Sequence, residues 1–444
     1  MNTEQPTVTV IPSRPILAAG QESTVDFLIR IDAPRPGPRR ERRPLNLGIV
    51  LDRSGSMQGE KLHHAKEAVA FAVRNLRPDD RLSLTIYDDH IQTLVPSAPV
   101  SHAGPQILAL LSGIRPGGST ALHDAWVQGG LQVSEHQDPG RLHRVLLVSD
   151  GLANVGETST EVLVSRAREL FAKGISTSTV GVGRDFNEDL MIPMARDGGG
   201  TGWFVESPAD FARIFGSELE DLAAVFGDKA RLRLEPRGRR VEILEVLNDL
   251  PVEAAATGTE ARPGTEARPG TGVYILGTLL AGSPLEIVAR VKVQGGELRQ
   301  PIDLFDVRLS WEAPGDGRSE MQMLVRMECH DPATVAAAPL NPEVSRVVEL
   351  LQSARMRRRA VELMDAGQIG AMQALLGEQV AHWGEVYAAT GDPEAARELG
   401  EIRELAIVME HADTDPSAFR LGRKQSSYQA YARSIRSRRQ NPKP

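Results

Sequence analysis

The chain has 444 residues, 41% of them hydrophobic and 25% charged, the composition of a globular protein with enough apolar side chains for a sizeable core. At roughly 100–200 residues per domain, that length implies two to four domains. A formal net charge of -8 with only 4% aromatic residues excludes a chain-wide nucleic-acid surface, and a single cysteine, Cys329, excludes a disulfide framework, a CxxC redox pair or a multi-cysteine zinc site within one chain.

The opening segment MNTEQPTVTVIPSRP lacks a basic stretch followed by an apolar one, so no secretory signal is expected. No apolar run approaches the ~20 residues of a membrane helix, and the expectation is a cytoplasmic protein with no membrane contact. Residues 7–33 carry two strand-like runs, TVTVIP and STVDFLIRI. Residues 34–44 (PRPGPRRERRP) read as a linker, because the prolines oppose regular structure and the charges keep it solvated.

From 45 to 217 apolar strands alternate with amphipathic helices. Strands are predicted at 45–51, 81–87, 144–149 and 175–182. Helices are predicted at 60–76, 105–114, 121–135, 160–173, 187–197 and 208–225. Near-continuous apolar strands such as Val145-Leu146-Leu147-Val148 suit a sheet covered on both faces, and the alternation implies a Rossmann-like, doubly wound α/β domain. Residues 228–330 return to β patterning, interrupted by a tandem GTEARP at 258–263 and 264–269 that reads as a flexible hairpin tip. Residues 341–411 are expected to be helical, with Val344, Val347, Val348, Leu351 and Ala354 at helical spacing. Residues 412–444 are polar and end in a basic tail.

Three segments carry chemistry: Asp52-Arg53-Ser54-Gly55-Ser56 directly after one apolar strand, Gly117-Gly118-Ser119-Thr120, and Ser149-Asp150-Gly151 directly after another. Ligands of open α/β sheets bind at the carboxyl ends of strands, near the point where strand order reverses. Asp52, Ser54, Ser56, Thr120 and Asp150 supply two carboxylates and three hydroxyls, all hard oxygens. That donor set suits a divalent cation, Mg²⁺ foremost with Ca²⁺ or Mn²⁺ as alternatives, and not zinc or copper. If the neutral hydroxyls bind directly and the aspartates act through water, the ion keeps much of its positive charge and attracts a carboxylate.

These residues resemble the metal-ion-dependent adhesion site of von Willebrand factor type A domains. The resemblance extends over about 45–217, including Arg81–Asp89, Gly117–Ala125, Val180–Gly183 and Phe186–Leu190 with Ala195. It implies an intact site in which Ser54, Ser56 and Thr120 are direct ligands, Asp52 and Asp150 act through water, and a partner's Glu or Asp completes the shell. The flanks resemble bacterial relatives in which the A domain is inserted in a β-sandwich, here 1–33 with 228–330. Neither block alone looks large enough for a comfortable core, and an A domain's termini lie close together.

Other residues carry plainer readings. His63 and His64 are expected to be solvated or capping, Met57 and Cys329 to be packed, and Asp88-Asp89 to form a turn. Gly198-Gly199-Gly200 is no phosphate loop, because GxxxxGK[ST] is absent from the chain. His123-Asp124 lacks an accompanying GxSxG or HExxH. Arg423, Lys424, Arg433, Arg436, Arg438, Arg439 and Lys443, interleaved with Tyr428 and Tyr431, read as a solvated tail, with nucleic-acid binding as the sharper alternative.

The resulting expectation is a non-enzymatic interaction module or scaffold of bacterial type. It grips an acidic residue of a protein partner through a bound divalent cation. By resemblance the partner is an AAA+ ATPase or a signalling or defence component. The alternatives are an accessory subunit of an ATPase- or chelatase-type complex, and a metal-dependent hydrolase.

Overall fold

A computed structural model describes residues 5–34, 43–183, 186–205, 224–254, 272–313, 317–410 and 416–434. The linker core, the tandem repeat, most of the predicted 208–225 helix and the end of the tail lie outside the described residues. The chain opens with β1 (Thr7–Pro12), β2 (Ile16–Ala18) and β3 (Glu22–Asp32).

The α/β domain follows. Its sheet comprises β4 (Leu45–Asp52), β5 (Arg81–Tyr87), β6 (Ile91–Pro99), β7 (Leu142–Ser149), β8 (Ser176–Val182) and β9 (Gly199–Val205), in the spatial order β6-β5-β4-β7-β8-β9. Only β6 runs antiparallel to its neighbour. Helices α1 (Glu60–Asn75) and α2 (Val100–Leu111) cover one face with Leu62, Val69 and Ile107 against Leu47, Ile49 and Leu51. Helices α3 (Leu122–Ser134), α4 (Thr160–Ala172) and α5 (Glu188–Asp197) cover the other with Trp126, Leu163 and Met194 against Val50, Val145 and Leu147. The chain leaves β4 toward β5 on one side and returns to β7 on the other, so strand order reverses between β4 and β7. That reversal opens a crevice at the carboxyl ends of the two strands.

Two strands here had no counterpart in the sequence reading. β6 is an edge strand and tolerates Pro96 and Pro99, which cannot donate to a ladder. β9 starts in the glycine run: a Cβ at Gly200 would lie 2.2 Å from the Thr177 carbonyl oxygen, so the run serves close strand packing. The same economy brings α3 onto β4, where a Cβ on Gly129 would lie 2.2 Å from Val50 Cγ2 and one on Gly48 would lie 2.9 Å from the Gly129 carbonyl.

Strands β10 (Val225–Pro236), β11 (Val241–Val246), β12 (Val252–Ala254), β13 (Gly272–Leu280), β14 (Leu285–Gln294), β15 (Pro301–Ala313) and β16 (Gly317–His330) join β1–β3 in two further sheets. Their orders are β1-β3-β14-β11 and β12-β13-β10-β15-β16-β2. The two share one core: Phe27, Ile29 and Val291 from the first meet Leu232, Phe305 and Leu309 from the second. Phe27 meets Phe305 edge-on at 5.1 Å.

Helices α6 (Pro332–Ala337), α7 (Pro342–Asp365), α8 (Ile369–Thr390), α9 (Pro393–Met409) and α10 (Pro416–Ser434) form the last layer. Among the described residues no helix is long and apolar enough to cross a membrane. Val344, Val347 and Leu351 of α7 bury Leu28 and Val288 on the outer face of the four-stranded sheet.

The reading of 412–444 as a polar tail is corrected over 416–434, which are helical and packed on α7. Arg433 pairs with Glu398 and Glu401, and Glu398 also accepts from Arg357 at 2.9 Å, all three of Arg357, Glu398 and Arg433 being buried. Arg423 reaches Glu188 at 2.5 Å, Asp189 at 2.7 Å and Asp365 at 2.6 Å, while Lys424 lies over the Phe186 ring at 5.2 Å. The cations that suggested a nucleic-acid arm are spent on internal carboxylates as far as residue 433.

Two stability outcomes follow. Glu398→Ala removes the carboxylate shared by two buried guanidinium groups, leaving Glu401 to face both, and is expected to cost about 3–5 kcal/mol in urea unfolding; a loss near zero would mean that the network carries no weight. Gly129→Val forces α3 off the sheet and is expected to cost at least about 1–3 kcal/mol by the same measurement; an unchanged midpoint would mean that this approach is not tight.

Candidate metal centre

Asp52 is the last residue of β4 and is fully buried. Its Oδ2 accepts from the Ser149 hydroxyl at 2.6 Å and from the Tyr87 phenol at 3.3 Å. Its Oδ1 accepts the Ser54 backbone N–H at 2.8 Å. Ser149 is held in turn by the Gly151 N–H, which donates to its Oγ at 2.7 Å. Both carboxylate oxygens are thus engaged by the protein itself.

A single 3₁₀ turn, Gly55–Met57, follows and brings the Ser54 and Ser56 hydroxyls within 3.1 Å of one another. Ser54 is buried, Ser56 is exposed, and Met57 packs beneath the turn as expected. The threonine loop is stitched to this turn by its backbone. Gly55 N–H donates to the Gly118 carbonyl at 2.8 Å, and Gly117 N–H donates to the Arg53 carbonyl at 2.7 Å. The loop after β7 joins them, because the Asn154 and Val155 N–H groups both donate to the Thr120 carbonyl at 3.2 Å. Asn154 returns the contact by accepting the Thr120 N–H at 2.7 Å. All three predicted segments therefore converge, with Asp52, Ser54, Thr120 and Asp150 at most 1% exposed.

The donor set fits a hard divalent cation: neutral hydroxyl oxygens lie beside carboxylates, with no sulfur or imidazole among the five. Burial is the main force on Asp52, raising its carboxyl from 3.8 to about 6 against the opposing hydrogen bonds from Ser149 and Ser54; the Asp150 charge adds to the rise. Burial also pushes the Tyr87 phenol well above its ordinary range, with the Asp52 charge adding to it, so Tyr87 serves as a neutral donor.

Four contributors had escaped the sequence reading. Asp88, read as part of a turn, is buried: it pairs with Arg53 at 2.8 Å and accepts from Gly118 N–H at 3.4 Å, pinning two of the loops. Ser149 and Tyr87 orient Asp52. Lys61, in the first turn of α1, donates to Asp150 Oδ2 at 3.1 Å. Ser149 was the most legible, as a hydroxyl directly before Asp150; the others need the β4–β5 pairing or the α1 position to reveal them. Asp88, Asp89 and His90 also group together, but Arg53 and local hydrogen bonds already engage Asp88. His63 sits in an exposed pair with Glu67, and His123 contacts its neighbour Asp124 at 2.7 Å.

The Asp52 burial has a sign. Without metal, the folded state keeps this proton up to about pH 6, whereas the unfolded chain releases it near 3.8. Folded-state stability from this group is therefore greatest at low pH and is lost as pH rises through about 6, by roughly 3 kcal/mol in all. In EDTA, the unfolding free energy is expected to fall by that order between about pH 4 and pH 7, with the fall flattened in Asp52→Asn. An equally steep fall in the variant would place the titration elsewhere.

Comparison with known proteins bears on the α/β domain and on the fold. A family model for the von Willebrand factor type A domain matches residues 46–215. Over 194 residues the chain is 27% identical to an uncharacterized protein of Synechocystis sp., covering 44% of this chain and 45% of that protein. Over 176 residues it is 28% identical to inter-alpha-trypsin inhibitor heavy chain H4 of Homo sapiens, covering 38% and 19%. The chain thus spans less than half the length of these curated relatives. Among solved structures, a von Willebrand factor type A protein from Catenulispora acidiphila is similar over 98% of both chains, with a TM-score of 0.69 at 17% identity. The ArnB paralog VWA2 from Sulfolobus acidocaldarius is similar over 96% of this chain and 98% of its own, with a TM-score of 0.57 at 16% identity. At such identities these two likenesses are likenesses of fold. The α/β domain of this chain, residues 46–215, is a von Willebrand factor type A domain.

Proposed function

We propose that this protein is a metal-dependent interaction module, carried on a β-sandwich, that binds an acidic group of a protein partner. Ser54, Ser56 and Thr120 would hold a divalent cation directly, Mg²⁺ by donor chemistry, and Asp52 and Asp150 would act through water. The observation that carries this reading is the hydrogen-bonding of Asp52: both its oxygens are engaged by Ser149, Tyr87 and Ser54, while the hydroxyls of Ser54 and Ser56 lie side by side at 3.1 Å. An ion held mainly by neutral oxygens stays electropositive, and a carboxylate from outside is its complement. Exposed Ser56 lies on the open side, where such a group can approach.

The whole chain would then act as a scaffold and not as a catalyst, because the conspicuous groups at the site orient carboxylates and hold loops. An ATPase-type or signalling assembly in the cytoplasm is the setting we infer for it. Affinity capture tests the core of this reading. Partners retained in Mg²⁺ are expected to be lost in EDTA and in Ser54→Ala/Ser56→Ala, and recovered when Mg²⁺ is restored to the wild type. The same partners in all three conditions would refute a metal bridge.

A further inference from the structure

The site buries two carboxylates, and without a cation they need a counter-charge from the protein. Asp52 and Asp150 are both fully buried, and the Asp150 charge opposes ionisation of Asp52. Arg53, the nearest base in sequence, is directed to Asp88 at 2.8 Å. The cation on Asp150 is Lys61, whose ammonium lies 3.1 Å from Oδ2. Among the described residues the other oxygen, Oδ1, accepts a long contact from the Leu152 N–H at 3.4 Å. Lys61 therefore makes the shorter contact to Asp150, and it is the charged one, the contact that a divalent ion beside this carboxylate would replace.

Its position lets it leave. Gly59, with φ +84°, turns the chain out of the serine loop and starts α1 at Glu60, which sets Lys61 in the first turn with its stem running back to the crevice. The lysine side chain is 20% exposed, whereas that of Asp150 is 0% exposed. A four-carbon stem with a compact ammonium can rotate from a buried carboxylate toward solvent without moving backbone. A divalent ion beside Asp150 repels that ammonium and takes over its role.

We propose that Lys61 is an exchangeable counter-cation of the site: it neutralises Asp150 when no metal is bound, is displaced by the incoming divalent ion, and so sets the affinity and threshold concentration for that ion. The displaced ammonium then stands at the rim, beside the position from which an acidic group approaches. This inference rests on the metal-binding reading above and adds to it an internal competitor.

Amine-selective acetylation followed by peptide mass spectrometry reads the exchange directly, with the full chain and Mg²⁺ alone as probe. Lys61 is expected to be protected in EDTA and to become reactive in saturating Mg²⁺, with other lysines as internal references. Titration calorimetry gives its size: Lys61→Met, which keeps the apolar stem, is expected to bind Mg²⁺ about tenfold tighter than wild type or better, equivalent to ~1.4 kcal/mol. Lys61→Arg, which keeps the charge and adds a forked donor, is expected to bind Mg²⁺ no tighter than wild type. Equal Lys61 reactivity in EDTA and Mg²⁺, with Mg²⁺ shown to bind, overturns the exchange while leaving the metal site standing. Absence of Mg²⁺ binding in wild type and both variants overturns the metal site and this inference together.

Discussion

Two carboxylates are held out of water at the ends of adjacent parallel strands, and much of the α/β domain is arranged around that burden. Asp52 ends β4 and Asp150 follows β7 directly, so the β4–β7 register sets their separation. An isolated carboxylate in such a place is costly, and the structure offsets the cost one hydrogen bond at a time, from Ser149, Tyr87 and the Ser54 backbone. The glycine contact between α3 and β4 then fixes where the threonine loop ends, because α3 starts at Leu122, two residues after Thr120. A bulkier residue at Gly48 or Gly129 would lift the helix and the loop with it.

Charge is partitioned with similar care. Asp88 and Arg53 neutralise each other at one edge of the crevice, which keeps the arginine from Asp150. Lys61 takes Asp150, and Asp52 retains neutral donors only in its first contacts. Unit charges about 4 Å apart at an effective dielectric near 20 interact by about 4 kcal/mol, so these pairings set the balance of charge in the crevice. The hydroxyls of Ser54, Ser56 and Thr120 add oxygen without adding negative charge.

The sequence announced the parts whose signals are local. Buried strands β4 and β7 are near-continuous apolar runs, and the proposed ligands sit in short motifs, those around Asp52 and Asp150 directly at the ends of these two strands. What it concealed depends on partners far along the chain. β6 reads poorly because an exposed edge strand with two prolines lacks both continuity and alternation. β9 hides behind its glycines, whose purpose is the approach to Thr177. The basic character of 416–434 suggested solvation because the acids that meet Arg433 lie at Glu398 and Glu401, on another helix. Asp88 looked like turn chemistry, and part of its work is indeed to accept the His90 N–H at 2.7 Å; its pairing with Arg53 becomes visible only once β4 and β5 are side by side.

The guanidinium of Arg423 has a mechanical consequence. It bridges Asp365 at the end of α7 to Glu188 and Asp189 at the start of α5, and Tyr431 accepts the Gly202 N–H at 3.2 Å further along the same helix. The α/β domain is thereby clasped to the helical layer through the first turn of α5, and it meets the β-sheets again where Arg196 pairs with Asp249 at 3.0 Å. The clasp on Glu188 is one residue from Asn187, whose N–H donates to the Asp150 carbonyl at 2.7 Å, so a pull on the C-terminal helix is passed to the backbone that carries Asp150.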